Sequence, residues 1–255
     1  MALQLASAVT DGFRRALTRT GGVLFAVLFA TQLSLLASLN TVLAAQAPPE
    51  AASLIGLTLP VSDSVAGALL LATLVLNAVS LVVIARAYAR PMSRLSSFPA
   101  ALVTRRIGRA TLSTLVGGTV VFVAVTIGLA FLFLPGIYLS ACLLFFVFAV
   151  GVEDRGVVGS LKRAWSLSRG NRLRLAVVVV GVGVAGALVG AVPAIFQLAG
   201  LPALGDVVSA LVNAVLFTFV YGVVAAAYLQ VDADEGGLGG AGTAAAPSAG
   251  GSPDV

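Results

Sequence analysis

TLSTLVGGTVVFVAVTIGLAFLFLPGIYLSACLLFFVFAVGV, residues 111–152, runs for 42 residues without a charged side chain. As one helix it would be about 63 Å long, twice the ~30 Å hydrocarbon core of a bilayer, so it must fold back on itself. Pro135-Gly136 is the turn signal inside it. It predicts one membrane span over about 111–134 and a second over about 137–152.

Working outward, the basic residues bracket such apolar runs. Arg14, Arg15 and Arg19 precede the first run. Arg86, Arg90, Arg94, Arg105, Arg106 and Arg109 follow the second, and Arg155, Lys162, Arg163, Arg169, Arg172 and Arg174 follow the fourth. The alternate connections carry only Glu50, Asp63 and Asp206. Lys and Arg beside a span are retained on the cytoplasmic side, so this alternation predicts six spans in a cytoplasmic (inner) membrane with both termini cytoplasmic. The spans fall at about 22–45, 64–86, 111–134, 137–152, 175–198 and 206–231. Together they form an all-α integral membrane bundle over 1–231, and residues 232–255, rich in Gly, Ala and acid, are expected to be a disordered cytoplasmic tail.

Composition supports this, because 59% hydrophobic and 10% charged residues, with a mean hydropathy of +1.08, leave far too little polar surface for a soluble domain. The pI near 10.1 could point to nucleic acid. The basic residues flank spans and do not gather on a polar domain, so membrane lipids with anionic headgroups are the expected counter-charge and no nucleic acid is expected. Cys142 lies inside an apolar run, and the chain has no histidine. An intrachain disulfide is thereby excluded, and the commonest general base and metal ligand is missing.

The three basic segments also read as amphipathic helices, each entering a two-span hairpin. Leu5, Val9, Phe13, Ala16 and Leu17 form a stripe opposite Arg14, Arg15 and Arg19; Val157, Val158, Leu161, Ala164 and Trp165 lie opposite Lys162, Arg163 and Arg169. Pro99 to Arg109 is a weaker version, with Leu102, Val103 and Ile107 against Arg105, Arg106 and Arg109. Such helices lie in the headgroup plane with arginines on phosphates, which makes Arg14, Arg15, Arg105, Arg106, Arg109, Lys162, Arg163, Trp165 and Arg169 the candidate lipid or partner contacts. The plainer reading is that they are ordinary positive-inside anchors. In the far-end connection, Pro48-Pro49-Glu50 could begin a short interfacial helix that Pro60 stops.

Pro135-Gly136-Ile137-Tyr138-Leu139, then Val152-Glu153-Asp154-Arg155-Gly156, then Leu161-Lys162-Arg163-Ala164-Trp165-Ser166 form the most distinctive local signature. It resembles a broad group of prokaryotic six-span proteins that includes the membrane domain fused to some glycerophosphoryl diester phosphodiesterases. Trp165-Ser166 reverses that group's usual Ser-Trp order, and no soluble phosphodiesterase domain is attached. The resemblance therefore implies a membrane module and not the hydrolase activity.

Glu153 and Asp154 sit where span four ends and the next helix starts, which suits an acidic cap paired with arginine. Adjacent carboxylates point apart and make a poor general acid/base pair, so neither a catalytic site nor a cofactor is expected. Gly181-Val-Gly183-Val-Ala-Gly186 matches a dinucleotide-binding pattern, but it lies in an uncharged run with no β/α alternation around it. Gly186 and Gly190 are expected instead to let helices approach closely. Inside the spans the polar groups are amides: Gln32, Asn40, Asn77, Gln197 and Asn213. They either bond between helices or line a polar path marked by Asn77 and Asn213. The leading functional expectation is a non-catalytic module that binds lipid, a membrane protein partner or its own copy. The alternative is a transporter or channel for a small, mostly uncharged solute.

Overall fold

The structure is a computed structural model that describes residues 3–48, 50, 55–131 and 133–243. The described residues are helical with no strand, and six stretches are long and apolar enough to cross a membrane: Arg19–Gln46, Asp63–Tyr88, Ile107–Phe131, Phe133–Gly151, Arg172–Leu198 and Pro202–Asp234. The chain is a multi-pass membrane bundle of six helical spans.

In order, the elements are α1 (Leu5–Ala16), α2 (Arg19–Gln46), α3 (Asp63–Tyr88), the single turn α4 (Ala101–Thr104), α5 (Ile107–Phe131), α6 (Phe133–Leu143), α7 (Phe146–Gly151), α8 (Val157–Leu167), α9 (Arg172–Gly190), α10 (Val192–Leu198) and α11 (Pro202–Thr243). Antiparallel α2 and α3 meet at their middles, where the Thr31 and Ser80 hydroxyls lie 3.3 Å apart. Long α11 runs through the assembly and touches α1, α2, α3, α8, α9 and α10. Near the basic end the core is aromatic: Tyr228 of α11 packs on Phe145 and Phe148, with ring centroids 6.0 and 5.3 Å away.

α5 ends at Phe131 and α6 already begins at Phe133, ahead of the expected Pro135-Gly136 turn. Pro135 is the third residue of α6, where the backbone N–H has no intrahelical partner and its loss is harmless. Gly136 is buried inside the helix, and a Cβ built on it would stand 2.7 Å from the Leu129 backbone nitrogen. Its function is close approach of the two backbones. At Pro193 the span breaks: α9 stops at Gly190, and the proline sits in the first turn of α10. Gly200, at φ +73, then makes the turn into α11.

In α1, Val9, Phe13 and Leu17 of the apolar stripe are exposed, while Ala8, Gly12, Arg15 and Ala16 are buried. In lipid, large apolar groups gain nothing from leaving their surroundings, so close packing of small residues decides which face docks. The middle amphipathic helix does not form; α4 is one turn, Arg106 takes a left-handed φ of 42°, and Ile107 opens the next span. Residues 55–59 are not helical, and the rest of the expected interfacial helix lies partly outside the described residues. α11 continues past the expected tail start at Asp232, to Thr243. Residues 244–255 of that tail lie outside the described residues.

The glycines of α9 are a further difference. A Cβ on Gly181, Gly183, Gly186 or Gly190 would meet nothing within 4 Å, so no helix of the chain uses them for close approach.

Candidate functional site

At the basic end, two adjacent carboxylates organise the arginines. Asp154 follows the end of α7 in a left-handed conformation, φ 51°, which aspartate tolerates better than most residues. Its Oδ1 accepts from Arg86 Nη2 at 3.1 Å and its Oδ2 from Arg105 Nε at 3.0 Å. Arg86 is almost fully buried; it also donates from Nε to the Gly151 carbonyl at 2.7 Å and from Nη1 to Leu102 at 3.2 Å. One guanidinium thus closes the C-terminus of α7, holds α4 and neutralises Asp154.

Glu153 points the other way. Its Oε1 accepts from Arg163 Nε and from the Tyr228 hydroxyl, both at 2.9 Å, and its Oε2 from Arg155 Nε at 2.5 Å. Arg163 continues to Asp232 of α11 through Nη2 at 2.6 Å. Burial pushes the Glu153 carboxyl up, but hydrogen bonds from Arg163, Arg155 and Tyr228 outweigh it and the group sits below its ordinary value. Asp154 is likewise raised by burial and lowered by more through Arg105 and Arg86. The pair joins α3, α4, α8 and α11 by charge, as capping with ion pairing requires.

The eight basic candidate contact residues divide into two sets. Arg15 is buried, its Nη1 donating to the Tyr88 and Arg90 carbonyls at 2.5 and 2.8 Å, so it caps α3 and is not available to a headgroup. Arg105 and Arg163 are committed to Asp154 and to Glu153 with Asp232. Among the described residues, Arg14, Arg106, Arg109, Lys162 and Arg169 are exposed and have no acidic partner.

Two of these free cations border a groove. α8 lies across the α5/α6 hairpin, with Val157 against Gly117 and the Trp165 ring 6.0 Å from that of Tyr138, edge to face. The buried side of α8 is Ser160, Ala164 and Leu167, while Val158, expected on the apolar stripe, is 63% exposed. Between the helices a cavity of about 540 Å³ has an apolar floor of Val120, Ala124, Leu143 and Leu161, with Lys162 and Trp165 of α8 and Arg169 just past its end. Arg172 holds the indole in place; its guanidinium carbon lies 4.7 Å from the Trp165 ring centroid and 5.2 Å from that of Tyr138, and it donates to the Tyr138 hydroxyl. Tyr138 and Arg172 were not singled out as site residues, because their partner Trp165 is separated from Tyr138 by a whole span.

The two mid-span amides are not brought together. Asn213 lines a crevice with Gln32 near the far end, and Asn77 of α3 is not among its walls. Arg86, Tyr228 and Asp232 were also missed as partners of the acidic pair. An arginine four residues after Val82, at the end of an otherwise uncharged span, was the available signal for Arg86.

A family model described as a domain of unknown function (DUF7847) matches residues 3–231. No curated protein and no solved structure matches the chain.

Proposed function

The chain belongs to the DUF7847 family, and from that starting point we propose that it is a non-catalytic module of the cytoplasmic membrane whose α8 groove binds an anionic phospholipid. The observation that carries this reading is the pairing, in one groove, of an apolar floor from α5, α6 and α8 with two cations that have no acidic partner among the described residues, Lys162 and Arg169. An acyl chain fits the floor, a phosphate fits the cations, and the clamped indole of Trp165 suits the boundary between them. Both termini are assigned to the cytoplasm, because every basic segment then faces the anionic leaflet. A reporter that fluoresces only in the cytoplasm, fused to the C-terminus, tests that assignment.

Trp165 is the only tryptophan, so its fluorescence reports on this groove alone. In vesicles of phosphatidylcholine doped with brominated phosphatidylglycerol, quenching of Trp165 should exceed that by brominated phosphatidylcholine at the same mole fraction. The double substitution Lys162→Gln, Arg169→Gln should erase the difference. Equal quenching by the two lipids in the unsubstituted protein would sink the proposal.

A further inference from the structure

At the end opposite the basic residues, a crevice of about 250 Å³ opens between α2, the α9/α10 break at Pro193, and α11. Asp206 is in its wall and is only 7% exposed. Asn40 Nδ2 donates to its Oδ2 at 2.8 Å and the Leu57 backbone N–H donates to the same oxygen at 2.7 Å; Oδ1 takes no bond from the described residues. Among the described residues no basic side chain pairs with it, and all fifteen lie in the segments that gather at the other end. A carboxylate so placed is costly to the fold unless something positive reaches it.

The remaining polar wall offers acceptors. Ser209 and Asn213 follow Asp206 at i+3 and i+7 on one face of α11, and Gln32 lines the crevice from α2. The Ser209 hydroxyl donates its hydrogen to the Gly205 carbonyl at 2.7 Å, so it presents only lone pairs elsewhere. The amides of Gln32 and Asn213 can each turn an oxygen inward, and the other walls are apolar: leucine and valine with Gly190, Pro193 and Ala210.

We propose that this crevice binds a protonated primary amine carried on an aliphatic body, its ammonium on Asp206 Oδ1 and its two remaining N–H groups shared among the acceptors Ser209, Gln32 and Asn213. An ammonium has three donors and no acceptor, which matches a set of acceptors around one unpaired carboxylate. The amine is either the headgroup of an aminophospholipid or a free alkylamine.

The test is a thermal unfolding series on the purified full chain in phosphatidylcholine nanodiscs, titrated with n-octylamine, 1-octanol or octyltrimethylammonium. Octylamine at saturation should raise the midpoint by about 5 °C or more, and the other two, which lack N–H donors on a cation, should not. Asp206→Asn should abolish the shift. Because Asp206 also holds residues 56 and 57, Gln32→Leu and Asn213→Leu supply independent variants, each expected to weaken octylamine about tenfold without loss of folding. Equal shifts from octylamine and octanol, or an undiminished octylamine shift in Asp206→Asn or in both leucine variants, would overturn the site. Repeating the titration in nanodiscs containing phosphatidylethanolamine separates the sources: competition assigns the lipid headgroup, and its absence assigns the free amine, either result upholding an amine site.

Discussion

Gly12 of α1 and Gly222 of α11 bring two helix backbones into direct contact: a Cβ built on Gly222 would lie 2.5 Å from the Gly12 carbonyl oxygen, and one on Gly12 would lie 2.6 Å from the Val223 Cα. Nothing but hydrogen fits at either position. This contact is what turns the small face of α1 inward and leaves Val9, Phe13 and Leu17 outside.

Gly12→Leu or Gly222→Leu should therefore destabilise the protein by about 1–3 kcal/mol, the range for overpacking a closed interface. Gly22→Leu is the matched control, since a Cβ there meets nothing within 4 Å. Thermal unfolding in one detergent measures all three, and a Gly12→Leu protein as stable as Gly22→Leu would contradict the packing described.

Arg86→Leu leaves the Gly151 and Leu102 carbonyls without their donor and Asp154 with Arg105 alone. Removing one partner of a buried pair costs about 3 kcal/mol or more. Arg105 is 59% exposed in its side chain, so Arg105→Gln should cost no more than about 1 kcal/mol. The comparison is read from denaturant midpoints at constant slope.

Acid should weaken the basic end. Glu153 and Asp154 both titrate below their ordinary values in the native protein, so the unfolded chain binds more protons than the native one as pH drops. Their contribution is complete above the ordinary carboxylate range and is lost as pH falls through the native values. The thermal midpoint should be flat near neutrality and begin to fall near pH 4.5, the ordinary glutamate value. Glu153→Gln should lower the midpoint at pH 7 and flatten the acid limb.

At the hairpin, Gly136→Leu should be strongly destabilising and Pro135→Ala nearly neutral. The first drives a side chain into the Leu129 backbone; the second replaces a residue whose missing N–H has no helical partner. Circular dichroism melts of the two variants separate close approach from turn formation as the role of this dipeptide.

Which residues were legible in advance follows from the range of the interactions involved. Pro193 ends α9 through its own ring, and Arg14 is an exposed cation wherever the helix goes. Arg86, by contrast, acts through partners 65, 16 and 68 residues away, and its one local signal, a place at the end of an uncharged span, names none of them. Asp206 had a readable signal, an acid at the mouth of a span with Ser209 and Asn213 on its own helical face. What it lacked was any indication that Asn40 and Leu57 bond to it and that Gln32 lines the same crevice.

The number of spans and the separation of basic from acidic ends are properties of the sequence alone, because a ~30 Å apolar slab acts on each segment independently and prices charge by position along the chain. Which faces pack, which cations stay free and where a crevice opens belong to the tertiary structure. In lipid, apolarity no longer says which side of a helix is inside, so small residues such as Gly12 and distant polar partners such as Arg86 and Asp154 decide it.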